Sequence, residues 1–481
     1  MQRKIFTIMT LLLFSAYPGF SQSDVITVSP NTSIKVESGT DLVISGNLVL
    51  KSDASGDASL IDYGNVTYNS GGMAKVERYL TQGKWHLISS PVSSMTAGLF
   101  TGDYLQSHSE STNGWTDIAS ATYPLAAMQG YALWSVATVP TTVVFSGTTN
   151  TGSKSIAFTK GGPGFNLVGN PYPSTLDWDK VTIPSTLGGA IWIFDPTVGS
   201  NGDYLYYLKG ASSGNTASQY IASGQGFFVQ ATGSGNLSFD NTDRVHQSGL
   251  LFKNAVVNKM LVLKVTGNSI TTQTAIRFNT NATQGVDRLY DVSLMMTNSP
   301  EVPVLFTKSG GSKMSINTLP AIKGNKTVPM WFRAGTDGEY SIKVSGMATF
   351  SSQTPLFLED LQTGIVRNLR ETPEYTFDYL SGSDYSFLLL FDKTLNIETK
   401  QERHIQIYAY GKVLNVNFPT GKLTNPNFNA RIMVFDLAGR KILQESTREM
   451  KNRIPLPANN TLYIVKVITG RKTATGKVFI K

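Results

Sequence analysis

Short runs in which apolar and polar side chains alternate recur along this chain, rich in Val, Ile, Thr, Phe and Tyr and separated by clusters of Gly, Asn, Asp and Ser. A period of two is the signature of half-buried strands, and the 3.6-residue spacing of an amphipathic helix is almost absent. The pattern predicts an all-β protein. Ile26 to Ser52, ITVSPNTSIKVESGTDLVISGNLVLKS, sets several short strands between turns at close to the spacing of solenoid rungs. One or two rungs bury too little apolar surface to stand alone, so the solenoid-like segment 23–80 is expected to lean on the β domain C-terminal to it.

Residues 81–248 are rich in Trp and Gly, in runs such as KWHLISSPV, MQGYALW, FNLVGNPYPSTLDW, AIWIFD and SGQGFFVQA. Each proline of Asn170-Pro171-Tyr172-Pro173 fixes its own φ and biases the preceding residue toward extended geometry, which suits a tight connection between strands. Residues 249–393 read as a second β-sandwich, 394–404 as a charged linker, and 405–481 as a small terminal sandwich. The expected fold is therefore tandem β-sandwich or jelly-roll-like domains after the solenoid-like segment, ending in an Ig-like β-sandwich.

The first 22 residues depart from this pattern. Arg3 and Lys4 precede an apolar run from Ile5 to Phe14, with small residues at Gly19 and Ser21. This layout predicts a cleaved signal peptide, and the run is too short to span a bilayer. No later run is long enough for a membrane helix, so the mature chain is expected outside the cytoplasm without a transmembrane segment. It contains no cysteine, so ordinary cores must hold it together.

The net charge of +8 first suggests a polyanion partner. From Lys400 to Lys481, however, 15 Lys and Arg face 4 Asp and Glu, which leaves the part between leader and tail negative. The basicity belongs to one terminal module, which argues against a nucleic-acid partner.

That module carries a resemblance. IYAYGKVLNVNF, RIMVFDLAGRKIL and LYIVKVITGRKTATGKVFIK, in this order, resemble the C-terminal sorting domain of the type IX secretion system of Bacteroidetes. The matching positions are Asp436, Gly439 and Arg440 in the turn, Tyr463, Val465 and Lys466 in the next strand, and Lys477 and Lys481 in the last one. Asn460, Thr461 and Leu462 stand where the family usually has Gly, and Asn tolerates a left-handed turn. The resemblance implies export to the surface or medium, with an outer-membrane translocon as partner. Upstream stretches, including VERYLTQGKWHLISSPV and GNPYPSTLDW, resemble a recurrent class of exported proteins for which no catalytic role carries over.

Little of the chemistry is distinctive. Gly210-Ala211-Ser212-Ser213-Gly214 spells a nucleophile elbow but lacks the strand-turn-helix context. GTTNTGSK, Gly147 to Lys154, misplaces the P-loop lysine by one position and reads as a hairpin loop. His86, His108, His246 and His404 stand far apart, His86 in an apolar strand. Calcium is the metal to consider, since loops of Asp and Asn supply oxygen ligands: Asp195, Asn201 and Asp203 form one candidate set, Asp240, Asn241 and Asp243 another. Asp177 and Asp179 flank Trp178, where capping of a turn is the favoured reading over paired-carboxylate catalysis. Trp115 and Trp178 are the candidate platforms for sugar, while Trp134 and Trp192 are expected in the core. The expected function is a non-enzymatic adhesive or structural surface protein. The alternatives are a glycan-binding module meeting surface polysaccharide and, behind it, an unrecognised hydrolase.

Overall fold

The computed structural model describes residues 25–69, 71–211, 217–247, 259–295, 299–321, 326–382, 385–391, 405–418, 429–457, 460–469 and 472–480. The leader 1–22 and the linker 394–404 lie outside them. The protein is all-β: the helices among the described residues are three 3-10 turns of three or four residues.

The N-terminal strands pair in parallel, as rungs require. Ile26–Val28 lies on Leu48–Leu50, which lies on the start of Ala74–Leu80; Ser33–Val36 lies on Ser59–Asp62, and Asp41–Ile44 on Asn65–Tyr68. Val28, Val36 and Ile44 are buried in the core between rungs, and Ile34 and Leu42 pack against it from the same faces. The corners need glycine. A Cβ on Gly64 would stand 2.1 Å from the Thr40 carbonyl oxygen, and one on Gly72 would stand 1.8 Å from that of Gly46. The solenoid is capped when Ala74–Leu80 pairs antiparallel with Thr141–Gly147. Its core continues into Val92, Phe100, Tyr131 and Phe145, so the segment does lean on the next β domain.

A buried ion pair fastens the same junction. Arg244, without exposed side-chain surface, donates to Asp62 at 2.6 Å, to the Leu60 carbonyl at 2.6 Å and to Ser174 Oγ at 2.9 Å, and its guanidinium lies over the Tyr172 ring. Asn170, wholly buried, donates to the carbonyls of Ser174, Ile221 and Ala222 and accepts from Tyr172 N, which makes the Asn-Pro-Tyr-Pro connection rigid.

Two four-stranded sheets dominate the middle of the chain. One runs in the order Trp85–Ile88, Tyr131–Trp134, Tyr104–Ser109, Gly114–Asp117; the other runs Phe165–Gly169, Gly226–Ala231, Leu187–Asp195, Asp203–Leu208. Beyond them a long sheet folds its two ends around one aromatic core of Phe332, Tyr340, Phe377, Tyr379 and Phe387. Asp360, fully buried there, accepts from the Tyr375 and Tyr385 hydroxyls at 2.7 and 2.8 Å. A further core joins Leu87, Leu167, Trp192 and Phe228 to Met260, Ala275, Val292 and Ile316, so apolar packing runs continuously between the two regions. The C-terminal residues form two facing sheets with their own core, from Leu414, Val416 and Ile454 on one side and Ile432, Val434, Val465 and Val467 on the other.

Candidate functional site

The first middle sheet turns one face to the solenoid core, through Ile88, Leu105, Tyr131 and Leu133. Strand alternation places Trp85, Trp134, Tyr104, Gln106, His108, Trp115 and Asp117 on the other face. The second middle sheet covers only part of it. Leu87 and Ala132 are sealed in, whereas Trp85 and Trp134 are half-buried, Trp115 is 40 % exposed and Tyr104 is 63 % exposed.

What remains is a shelf of three rungs. In the first, Trp134 stands between its cross-strand neighbours Trp85 and Tyr104, and the two indoles meet edge to face at 5.6 Å. In the second, Gln106 donates to Asp117 across the hairpin at 2.8 Å. In the third, His108 faces Trp115. The Trp115 ring is held edge-on by His108 at 5.0 Å and by Phe228 at 6.1 Å, and Phe228 is backed by Tyr204 and Phe165. Burial pulls the His108 pKa down, against the weaker upward pull of Asn113 and Glu110, so the ring is neutral at neutral pH. At the turn of the hairpin, the carboxylate of Glu110 accepts from Gly161, Gly162 and Gly164 N and from Thr159 Oγ1, which ties the Gly-rich loop to that turn.

Of the two Trp platforms expected from sequence, only Trp115 is placed to meet a ligand. Trp178 is wholly buried, packs its ring on Phe227 and donates its indole N–H to the Gly189 carbonyl at 2.9 Å, so it offers no face to sugar. Asp179, beside it, accepts the Tyr207 hydroxyl on both oxygens, and Asp177 accepts from Asp179 N and Gln219 Nε2. Both carboxylates cap the chain. Trp192 is in the core as expected, while Trp134 is only half-buried.

Of the calcium candidates, Asp195, Asp240 and Asp243 are engaged with nearby backbone. Asp195 accepts from Thr197 N and Oγ1, Asn201 N donates to Ser299 Oγ, and Asp203 pairs with Asp195 across the hairpin. Asp240 and Asp243 form a reciprocal capping box on a 3-10 turn. Among the described residues no three His, Asp or Glu converge as metal ligands. The Gly147–Lys154 loop joins strands of different sheets, so it is a crossover and not the hairpin expected from its sequence. Ser212 of the elbow-like motif lies outside the described residues.

Among the described residues one Ser-His pair is present, Ser59 Oγ to His246 Nδ1 at 2.9 Å. Burial and the nearby charges of Arg244 and Lys35 push this imidazole down to about 4. A general base must become imidazolium as it takes the serine proton, and these cations oppose that. His86 is likewise a structural residue, with Nε2 at 3.0 Å from the Thr81 carbonyl.

In the C-terminal sandwich, Asp436 accepts from Arg440 N at 2.9 Å and from Arg440 Nε at 2.7 Å, and Gly439 adopts φ +78°. Tyr463 and Val465 are core residues, Lys466 and Lys477 are exposed, and Lys481 lies outside the described residues. Asn460, standing where Gly was expected, adopts φ +45°.

A family model described as a domain of unknown function, DUF8693, matches residues 15–386. The chain belongs to that family. The DUF8693 match covers every residue of the shelf and ends before the terminal sandwich. No curated protein matches the chain. Among the described residues no helix is long and apolar enough to cross a membrane.

Sequence reasoning found Trp115 and missed its partners. Trp85 lies in a different run from Tyr104 and Gln106, and the three meet only through strand pairing. The alternation Tyr104-x-Gln106-x-His108 was the available signal.

Proposed function

We propose that this protein is a non-enzymatic adhesive or structural component of the cell exterior, delivered by a type IX-like route through residues 405–481. The observation that supports this reading is the Asp436-Arg440 turn, set in a sandwich with a core of its own. In that reading residues 1–22 are a leader and the translocon is a partner. A second reading, binding of surface glycan, is favoured by the exposure of Trp115 on a braced shelf. The hydrolase reading gains nothing from the Ser59-His246 pair, because the cations beside that imidazole oppose its protonation.

The test is fractionation of a Bacteroidetes host that expresses the full chain or a version ending at Lys393. Export of the full chain alone is the expected result. Equal localisation of the two would reduce the terminal sandwich to an ordinary domain.

A further inference from the structure

We infer that the shelf binds a neutral polysaccharide chain laid across its three rungs, with Trp115 and Tyr104 as stacking faces and the Gln106-Asp117 pair as the hydroxyl-binding rung. The inference deepens the glycan-binding reading and rests on it for the expectation that ligand is met outside the cell.

The rung order carries it. Tyr104 and His108 are four residues apart on one strand, so the outer rungs stand ~13 Å apart. A pyranose has apolar C–H faces that pack on aromatic rings and a rim of hydroxyls that hydrogen-bond. Ring, polar pair, ring is the order that an extended chain of such units requires. The distance exceeds a single sugar ring, so a monosaccharide can occupy only one rung.

A protein partner fits less well. It would desolvate Asp117 and Gln106, and only a group matched to both would repay that loss. Sugar hydroxyls donate and accept in turn and can serve both. Asp117 is exposed and has no ion-pair partner among the described residues, which disfavours an acidic polymer.

The shelf is also braced before ligand arrives. Trp115 is fixed by His108 and Phe228, Trp85 and Trp134 fix each other, and the Glu110 carboxylate pins the neighbouring loop. At these positions little side-chain freedom remains to be lost on binding, whereas Tyr104, 63 % exposed, is ordered only when it stacks.

The test is affinity electrophoresis of the purified full chain in gels containing soluble mixed-linkage β-glucan, hydroxyethylcellulose, soluble starch or alginate, with free glucose as competitor. Retardation by at least one neutral polymer is expected, weaker retardation by alginate, and no competition by glucose at millimolar concentration. Trp115→Ala and Tyr104→Ser should each weaken retardation about tenfold. Gln106→Ala should weaken it less, and Phe479→Ala, on the exposed face of the terminal sandwich, should leave it unchanged. Tyr104→Ser guards against a folding artefact because that side chain is largely solvated, and each variant is checked by its melting curve. No retardation by any neutral polymer, retardation by alginate alone, or retardation that survives both aromatic substitutions would overturn the inference. Because the protein is purified, the result stands apart from the export experiment: binding without export sinks only the delivery reading, and export without binding sinks only this one.

Discussion

At the scale of single residues, burial fixes the chemistry available. The Arg244-Asp62 pair is sealed, so Arg244→Met leaves an uncompensated carboxylate among Leu60, Tyr172 and Ser174. A loss of about 3–5 kcal/mol in the transition of the N-terminal half is expected from urea unfolding, with part of it regained by Asp62→Leu in the same chain. Acid response is set by groups of opposite sign. His86 and His246 are each lowered to about 4 by burial, so between that value and 6.5 the unfolded chain binds the extra proton and stability falls as pH falls. Asp291 is pushed up to about 6 by burial, so over the same range the folded chain holds the extra proton and stability rises as pH falls. Burial also lowers His108 and raises Asp243, so three histidines stand against two carboxyls, and a lower melting temperature is expected at pH 5 than at pH 7. His246→Gln should flatten that dependence; a melting temperature that rises on acidification would count against the assignment.

At the scale of elements, alternation made much of the fold legible, because a strand with one buried face must show it in sequence. The run Arg431 to Asp436, ending in the Asp-Leu-Ala-Gly-Arg turn, could be read residue by residue: the contacts that close the turn lie within five positions. The rungs of residues 26–68 were legible as spacing, and their parallel pairing is the consequence of it. The shelf was not, because its rungs depend on which strands become neighbours, and nothing local in Trp85 or Tyr104 says that both flank Trp134. Trp178 misled for the same reason: its flanking aspartates look outward in sequence, yet they cap backbone while the indole turns inward. Tight corner geometry makes the rungs testable. Gly72→Ala would force a Cβ onto the Gly46 carbonyl, and a loss of about 1–3 kcal/mol is expected. Gly83→Ala serves as the comparison: no atom lies within 4 Å of its added Cβ, so any loss there reports only the strain of a non-glycine residue at φ +58°.

At the scale of the whole molecule, the cores determine what unfolds together. The apolar cluster that joins Trp192 and Phe228 to Met260, Ala275 and Ile316 leaves no seam between the shelf region and the sheet after it. Ile316→Ala, at a wholly buried site, should therefore lower the transition seen through the tryptophans around Trp192 as well as that of its own sheet, by about 2–5 kcal/mol. The terminal sandwich differs. It closes its own core, and its tie to the upstream sheet includes one long hydrogen bond, Tyr408 Oη to Asp378 at 3.4 Å. Calorimetry of the full chain and of the version ending at Lys393 separates the two cases. Truncation should remove one transition and leave the remainder at the same temperature, because no apolar core among the described residues is shared between the two. If the upstream transition also falls, the sandwich is a structural partner of the DUF8693 region, and an export defect in the truncated chain would then reflect misfolding and carry no information about sorting.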